Sequence, residues 1–287
     1  MRGFKLRHLL TSAVFALSVS TSAQAADLLM DPPMEAPEII TKPAGGWYLR
    51  GDISYASHEV DEIYYGVYAD PGNLHFTRAD LETSFGLQGG IGYQINENFR
   101  VDATLGYKFK STFSGSTGDG TAPCPANVAL GLPNNQVAAT TCISDDSTSM
   151  SAYTIMANGY FDLGNFNGFT PYVGAGIGGA YVSWDTLTNR FVCTSQGGDC
   201  NNVAGPVTHP GEDGWRFAYA LHAGVSYDIS HSLKLDFGYS YDRIEGGRMF
   251  GWDAGSTNGT NNKLGPQGHD RGITDHVFHA GLRYQIW

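Results

Sequence analysis

Ten charged side chains recur at alternate positions of apolar segments: Arg50 and Asp52, then Arg100, Asp102 and Lys108, then Arg216 and Asp228, then Lys234 and Asp236, and finally Arg283. Cations and carboxylates on one face can pair. In a closed interior they must, because an uncompensated buried charge costs several kcal/mol. The expected chemistry is therefore a lumenal ion-pair network that fills space, with no catalytic role. Gly174-x-Gly176-x-x-Gly179 matches the dinucleotide fingerprint, but that motif needs a helix directly after it to face the pyrophosphate. Ala180 to Trp184 continue a strand instead, so these glycines are expected to line an inward row beside large neighbours.

Four cysteines fall in two sequence-local groups, Cys124 with Cys142 and Cys193 with Cys200. In an oxidising compartment they predict a disulfide within each of two loops. No Cys-x-x-Cys or adjacent histidine suggests zinc. His222 and His279 share the charged face and read as satisfied interior histidines, so no metal or cofactor is expected. His269, Asp270, Asp275 and His276 invite comparison with Asp/His sites at barrel rims. They lack an identifiable nucleophile or second acidic pair, and no enzyme activity is expected. Asn258-Gly259-Thr260 matches a glycosylation sequon and reads as plain loop.

The elements that must position these residues are strands. Glycine supplies 38 of 287 residues, nearly twice the usual share of about 7%. Aromatic residues make up 13% and charged residues only 16%. The net charge of -11, without a basic stripe, excludes nucleic acid as a partner. Eight segments alternate at period two: Trp47 to Tyr55, Phe85 to Ile95, Phe99 to Lys108, Tyr153 to Phe161, Val173 to Tyr181, Arg216 to Ile229, Leu233 to Tyr241 and Phe278 to Ile286.

Before them, residues 1–25 combine a basic start (Arg2, Lys5, Arg7), an apolar run from Leu9 to Val19 and Ala23-Gln24-Ala25, the pattern of a cleaved export signal. Residues 26–45 carry Pro32, Pro33, Pro37 and Pro43 and read as a periplasmic spacer. Residues 46–287 form the third region, the barrel.

A soluble sandwich or lipocalin-like carrier would turn the apolar faces inward, whereas an outer-membrane barrel turns them toward lipid. Three features favour the second. Aromatic residues cluster at both strand ends: Trp47, Tyr93, Phe99, Phe161, Tyr227 and Tyr284 at one rim, and Tyr55, Tyr107, Tyr153, Tyr181, Tyr219 and Tyr241 at the other. Short turns (96–98, 163–170, 230–232) alternate with long connections (57–84, 110–149, 183–214, 244–274). The chain also ends on its last strand. The expected fold is all-β: an eight-stranded antiparallel transmembrane β-barrel with short periplasmic turns and four long extracellular loops. At that size the interior is just wide enough for side chains.

Gly46-Trp47-Tyr48-Leu49-Arg50-Gly51, Pro171-Tyr172-Val173-Gly174-Ala175-Gly176-Ile177-Gly178 and Gly281-Leu282-Arg283-Tyr284-Gln285-Ile286-Trp287 resemble the small outer-membrane barrels of opacity and OmpA type, and within them the alphaproteobacterial surface antigens of Brucella and rhizobia. That resemblance implies a surface-exposed structural protein, sometimes regarded as porin-like. The expected role is envelope support and surface contact through the loops. The expected partners are outer-membrane lipid and lipopolysaccharide, the outer-membrane assembly machinery and an unidentified surface ligand. The alternatives are a narrow solute channel, an outer-membrane enzyme and the soluble carrier.

Overall fold

The computed structural model describes residues 45–66, 73–117, 142–193, 198–199, 206–253 and 265–286. Residues 1–44, which hold the expected export signal and all but the last residue of the expected spacer, lie outside them, as do Cys124, Cys200, residues 258–260 and Trp287. Twelve strands and no helix occur among the described residues: β1 (Gly46–Gly66), β2 (Asn73–Leu81), β3 (Ser84–Gln94), β4 (Phe99–Thr117), β5 (Cys142–Asp162), β6 (Phe169–Trp184), β7 (Leu187–Cys193), β8 (Gly198–Asp199), β9 (Val207–His209), β10 (Asp213–Asp228), β11 (Leu233–Gly251) and β12 (Pro266–Gln285).

Eight of them close a ring, in the order β1, β3, β4, β5, β6, β10, β11, β12 and back to β1, every pair antiparallel. Closure removes the open edges that a hydrocarbon environment would not tolerate. These eight contain the segments marked by period-two alternation. Register aligns their outward residues into an apolar belt. Trp47 faces Tyr93, Phe99 faces Phe161 and Tyr227 faces Phe169 at one margin; Tyr55 faces Phe85, Tyr107 faces Tyr153 and Tyr181 faces Trp215 at the other. The rings touch in these pairs, with centroids 4.6–5.5 Å apart. Between them Leu49, Ile53, Leu87, Ile91, Leu105, Ile155, Ile177, Leu221 and Leu282 are exposed. On β1 the belt runs from Trp47 to Tyr55, roughly 20 Å of height for a strand tilted by about 40°, close to the about 25 Å apolar band of outer-membrane barrels.

The long connections depart from expectation. Among the described residues, much of 57–84, 110–149, 183–214 and 244–274 is strand: β1, β4, β5, β11 and β12 run on past the belt, and β2, β7, β8 and β9 are added there. The extension escaped the sequence pattern because the two faces exchange chemistry. Above Tyr55, outward positions become polar (Ser57, Glu59, Asp61) while Ala56 and Ile63 are buried. Phase breaks reinforce the disguise. A register shift lies between Lys108 and Ser111 on β4, and such a bulge re-aims the residues beyond it. On β12 Gly272 adopts a φ of 134°, open to glycine but strained for other residues. Asp270 and Ile273, an odd number of positions apart, are thereby both buried.

Candidate functional site

Inside the belt the even phase of β1 and the matching phases of its neighbours point into the lumen, which is packed with charge. Arg50 donates from Nε and Nη2 to both oxygens of Asp52 at 2.9 Å, and from Nη1 to Asp102 at 3.1 Å and to the Tyr160 hydroxyl at 2.9 Å. Asp102 also accepts from Tyr48 at 3.1 Å and from Asn158 at 2.7 Å. All of these polar atoms are buried.

Arg100, 1% exposed, donates to Asp162 at 3.1 Å. Its guanidinium stacks near two rings, 4.0 Å from the centroid of Tyr160 and 4.6 Å from that of Tyr172. Desolvated cation–π contacts of this kind contribute about 2 kcal/mol. Arg283 donates to Asp236 at 3.2 Å and to Ser226 at 2.7 Å, and Lys234 pairs with Asp228 near the short turn between β10 and β11.

Higher in the lumen, Lys108 is held by Asp275 and, at 3.2 Å, by Asp242. Asp275 also accepts from His58 Nδ1 at 2.6 Å, while the other ring nitrogen of His58 meets Ser84 at 2.7 Å. Arg216 gives both oxygens of Asp270 a hydrogen bond at 2.8 Å and donates to the Arg248 carbonyl at 2.6 Å.

Each of the ten charged residues singled out from sequence therefore lies in the lumen with a partner of opposite charge. Sequence reasoning missed Asp162, Asp242 and His58 as members, and the rings of Tyr48, Tyr160 and Tyr172. Asp162 and Asp242 continue the inward phase of Tyr160 and Ser240, a signal that was available. Asp270 and Asp275 are not rim residues: they are buried against Arg216 and Lys108. His269 stacks on Tyr64 at 5.3 Å, and His276 shares a hydrogen bond of 2.7 Å with Tyr239. The four do not converge. His222 bonds Asn158 at 3.2 Å and His279 bonds Tyr172 at 3.3 Å.

The glycine row is inward and sterically required. A Cβ at Gly174 would stand against the Tyr160 ring, and one at Gly176 against Asn158, so the bare backbone of β6 makes room for side chains of β5 that hold the network.

Above the charged layer the lumen turns apolar. Ile63, Leu81, Phe113, Met150, Ala152, Val182, Trp184, Leu187, Ile244, Met249, Phe250 and Ile273 form one buried cluster. Phe113 stands at its centre, 6.0 Å from Phe76 and 5.9 Å from Trp184 by ring centroids. Fully burying such a side chain contributes about 1.5–3 kcal/mol, and a dry cluster offers an ion no partner. Between the two layers sits a cavity of about 60 Å³, bordered by Arg50, Asn158, His222 and His279 below and by Ala218, Ile244 and Val277 above. That is room for a few waters. Beside the apolar cluster and beyond the belt, burial pushes the Asp146 carboxyl up to about 6, although Ser144 and Asn189 donate to it. Burial likewise lowers the His209 imidazole.

Residues 11–285 match the family model described as outer membrane protein beta-barrel domain. An uncharacterized protein of Brucella suis biovar 1 is 37% identical over 284 residues, covering 93% of each chain. A Rickettsia bellii protein whose name marks it as a candidate adhesin is 28% identical over 244 residues, covering 84% of this chain and 88% of its own. Among solved structures, Neisserial surface protein A aligns with a TM-score of 0.42 at 16% identity, covering 84% of this chain and 97% of that one.

Proposed function

The chain belongs to the outer-membrane protein β-barrel family, and from that premise we propose that it is a sealed, non-conducting barrel that stiffens the Gram-negative envelope and presents its projecting end for surface contact. Residues 1–25 are its export signal. The short turns and the N-terminus face the periplasm, and the extended ends of β1, β4, β5, β11 and β12 stand outside the cell. The observation that carries this reading is a lumen blocked twice in series, by the ion-pair layer around Arg50 and Arg100 and by the apolar cluster around Phe113 and Trp184. A narrow porin needs a continuous wet path, and a cluster of this composition excludes water. No catalytic role is assigned to the lumenal residues, whose charges are consumed in pairing.

Two further features support surface contact. The name of the Rickettsia bellii relative points to adhesion. Beyond the belt, charged pairs such as Arg243 with Asp61 and Arg271 with Glu62 stand at the level where lipopolysaccharide headgroups begin, suiting the barrel to that lipid.

Planar-bilayer recording tests the proposal, with the purified barrel and a variant carrying Phe113→Ala and Trp184→Ala. The parent should give no stable single-channel steps. The variant, with half the barrier thinned, should leak at most transiently because the charged layer remains. Stable steps in the parent, abolished by substituting Arg100 or Asp102, would establish a channel and overturn the sealed reading.

A further inference from the structure

We propose that Cys142 and Cys193 form a disulfide that ties the start of β5 to the end of β7. β5 opens at Cys142 and β7 closes at Cys193. The antiparallel register sets these two residues directly opposite each other, in a ladder that continues to Ser147 and Thr188. Directly opposed residues of an antiparallel pair have Cα atoms about 4.5 or 5.5 Å apart, according to their hydrogen-bonding state. Both separations lie inside the window of about 4.4–6.8 Å that a disulfide bridges.

The sequence-local alternative is weaker on the same geometry. On its β8 side Cys193 faces Gly198 and Val192 faces Asp199, so the residue opposite Cys193 in that ladder is a glycine. β7 also has reason to need a staple. Beyond β5 it pairs only with the two-residue β8 and the three-residue β9 among the described strands. Its support on that edge is thus short, and the Cys193 end meets only β8 there.

The inference rests on the export reading, because export carries the chain through an oxidising compartment. There the two thiols lose two protons and two electrons to a disulfide-bearing thiol oxidoreductase. That oxidant's own disulfide is reduced to a dithiol as the Cys142–Cys193 bond forms.

The test is a peptide map of the protein taken from outer membranes, alkylated without reduction and digested with trypsin. Cleavage after Lys110, Arg190 and Arg216 leaves Cys124 and Cys142 in peptide 111–190, and Cys193 and Cys200 in peptide 191–216. The two peptides should run as one linked species that separates on reduction. In a variant with Cys124→Ser and Cys200→Ser the same linkage should persist, with no alkylated thiol. Unlinked peptides in the parent would overturn the proposal, as would two alkylated thiols in the variant. A heat-dependent gel shift on the same sample shows whether the variant folded. If it did not, a second digest of the parent decides, cut after Leu130 by chymotrypsin and before Asp199 by an aspartate-specific protease: it separates Cys124 from Cys142 and Cys193 from Cys200, and so assigns the link to Cys142–Cys193 or to another pair. Recovery of the chain in the cytoplasmic fraction would instead count against the export reading itself.

Discussion

Arg50→Met measures whether the lumen is dry. The substitution keeps most of the side-chain volume and removes the cation that holds two buried carboxylates, with three ion-pair hydrogen bonds between 2.9 and 3.1 Å. Asp52 loses both of its bonds to Arg50, whereas Asp102 keeps Tyr48 and Asn158. In a sealed interior, leaving one partner of a buried pair uncompensated costs about 3–5 kcal/mol. In a water-filled lumen each exposed pair is worth only about 0.2–1 kcal/mol. The two cases thus differ by several kcal/mol, or more than tenfold in the unfolding equilibrium, at about 1.4 kcal/mol per tenfold. Reversible urea unfolding in lipid vesicles, followed by tryptophan fluorescence and by heat-dependent gel mobility, reads the difference. Arg50→Met should lose about 3–5 kcal/mol, and adding Asp52→Asn with Asp102→Asn should restore most of it, because no unpaired charge is left behind. A loss below about 1 kcal/mol, with no recovery in the triple variant, would mean that solvent already screens these groups. The charged layer would then not be a seal.

Two further outcomes follow from the same interior. Asp146 is protonated in the folded barrel up to about pH 6 but releases its proton near 3.8 when exposed. Through that window the folded state binds more protons than the unfolded one, so its stability should fall as pH rises from about 4 to about 6 and then level off. Unfolding midpoints measured across that range should lose this slope in Asp146→Asn, and an unchanged slope would show that another group governs it. At the glycine row, Gly174→Leu should cost at least about 1–3 kcal/mol by overpacking, seen as loss of the compact unheated gel band, because Tyr160 cannot yield without releasing Arg50. Gly159→Ala, where an added Cβ meets nothing within 4 Å, is the control and should fold like the parent. Equal behaviour of the two would refute the packing argument.

The belt and its lumen were legible because lipid and packed interior impose opposite demands on alternate residues. Trp47, Leu49, Ile53 and Tyr55 stand against Tyr48, Arg50, Asp52 and Ser54 without a break, and both girdles fall where that alternation begins and ends. Charge identity was legible too, since an Arg or Asp inside an apolar strand has one tolerable destination. Partners were not. Nothing local to Arg216 names Asp270, and nothing local to Lys108 names Asp275. Arg216 reaches Asp270 over the intervening β11, and Lys108 reaches Asp275 over β3 and β1, through the β1–β12 pairing that closes the ring.

The amino-acid sequence by itself determined eight membrane strands, their lipid-facing side and the charged filling, because period two in a two-sided solvent is a local signal. Tertiary structure alone decided the rest: the strands that continue beyond the belt, the apolar cluster around Phe113 that closes the upper lumen, and the facing of Cys142 with Cys193. Beyond the belt, water replaces lipid outside and side chains from distant strands replace charge inside. The same alternation therefore changes meaning there, and a residue's environment is set by what the ring brings opposite it.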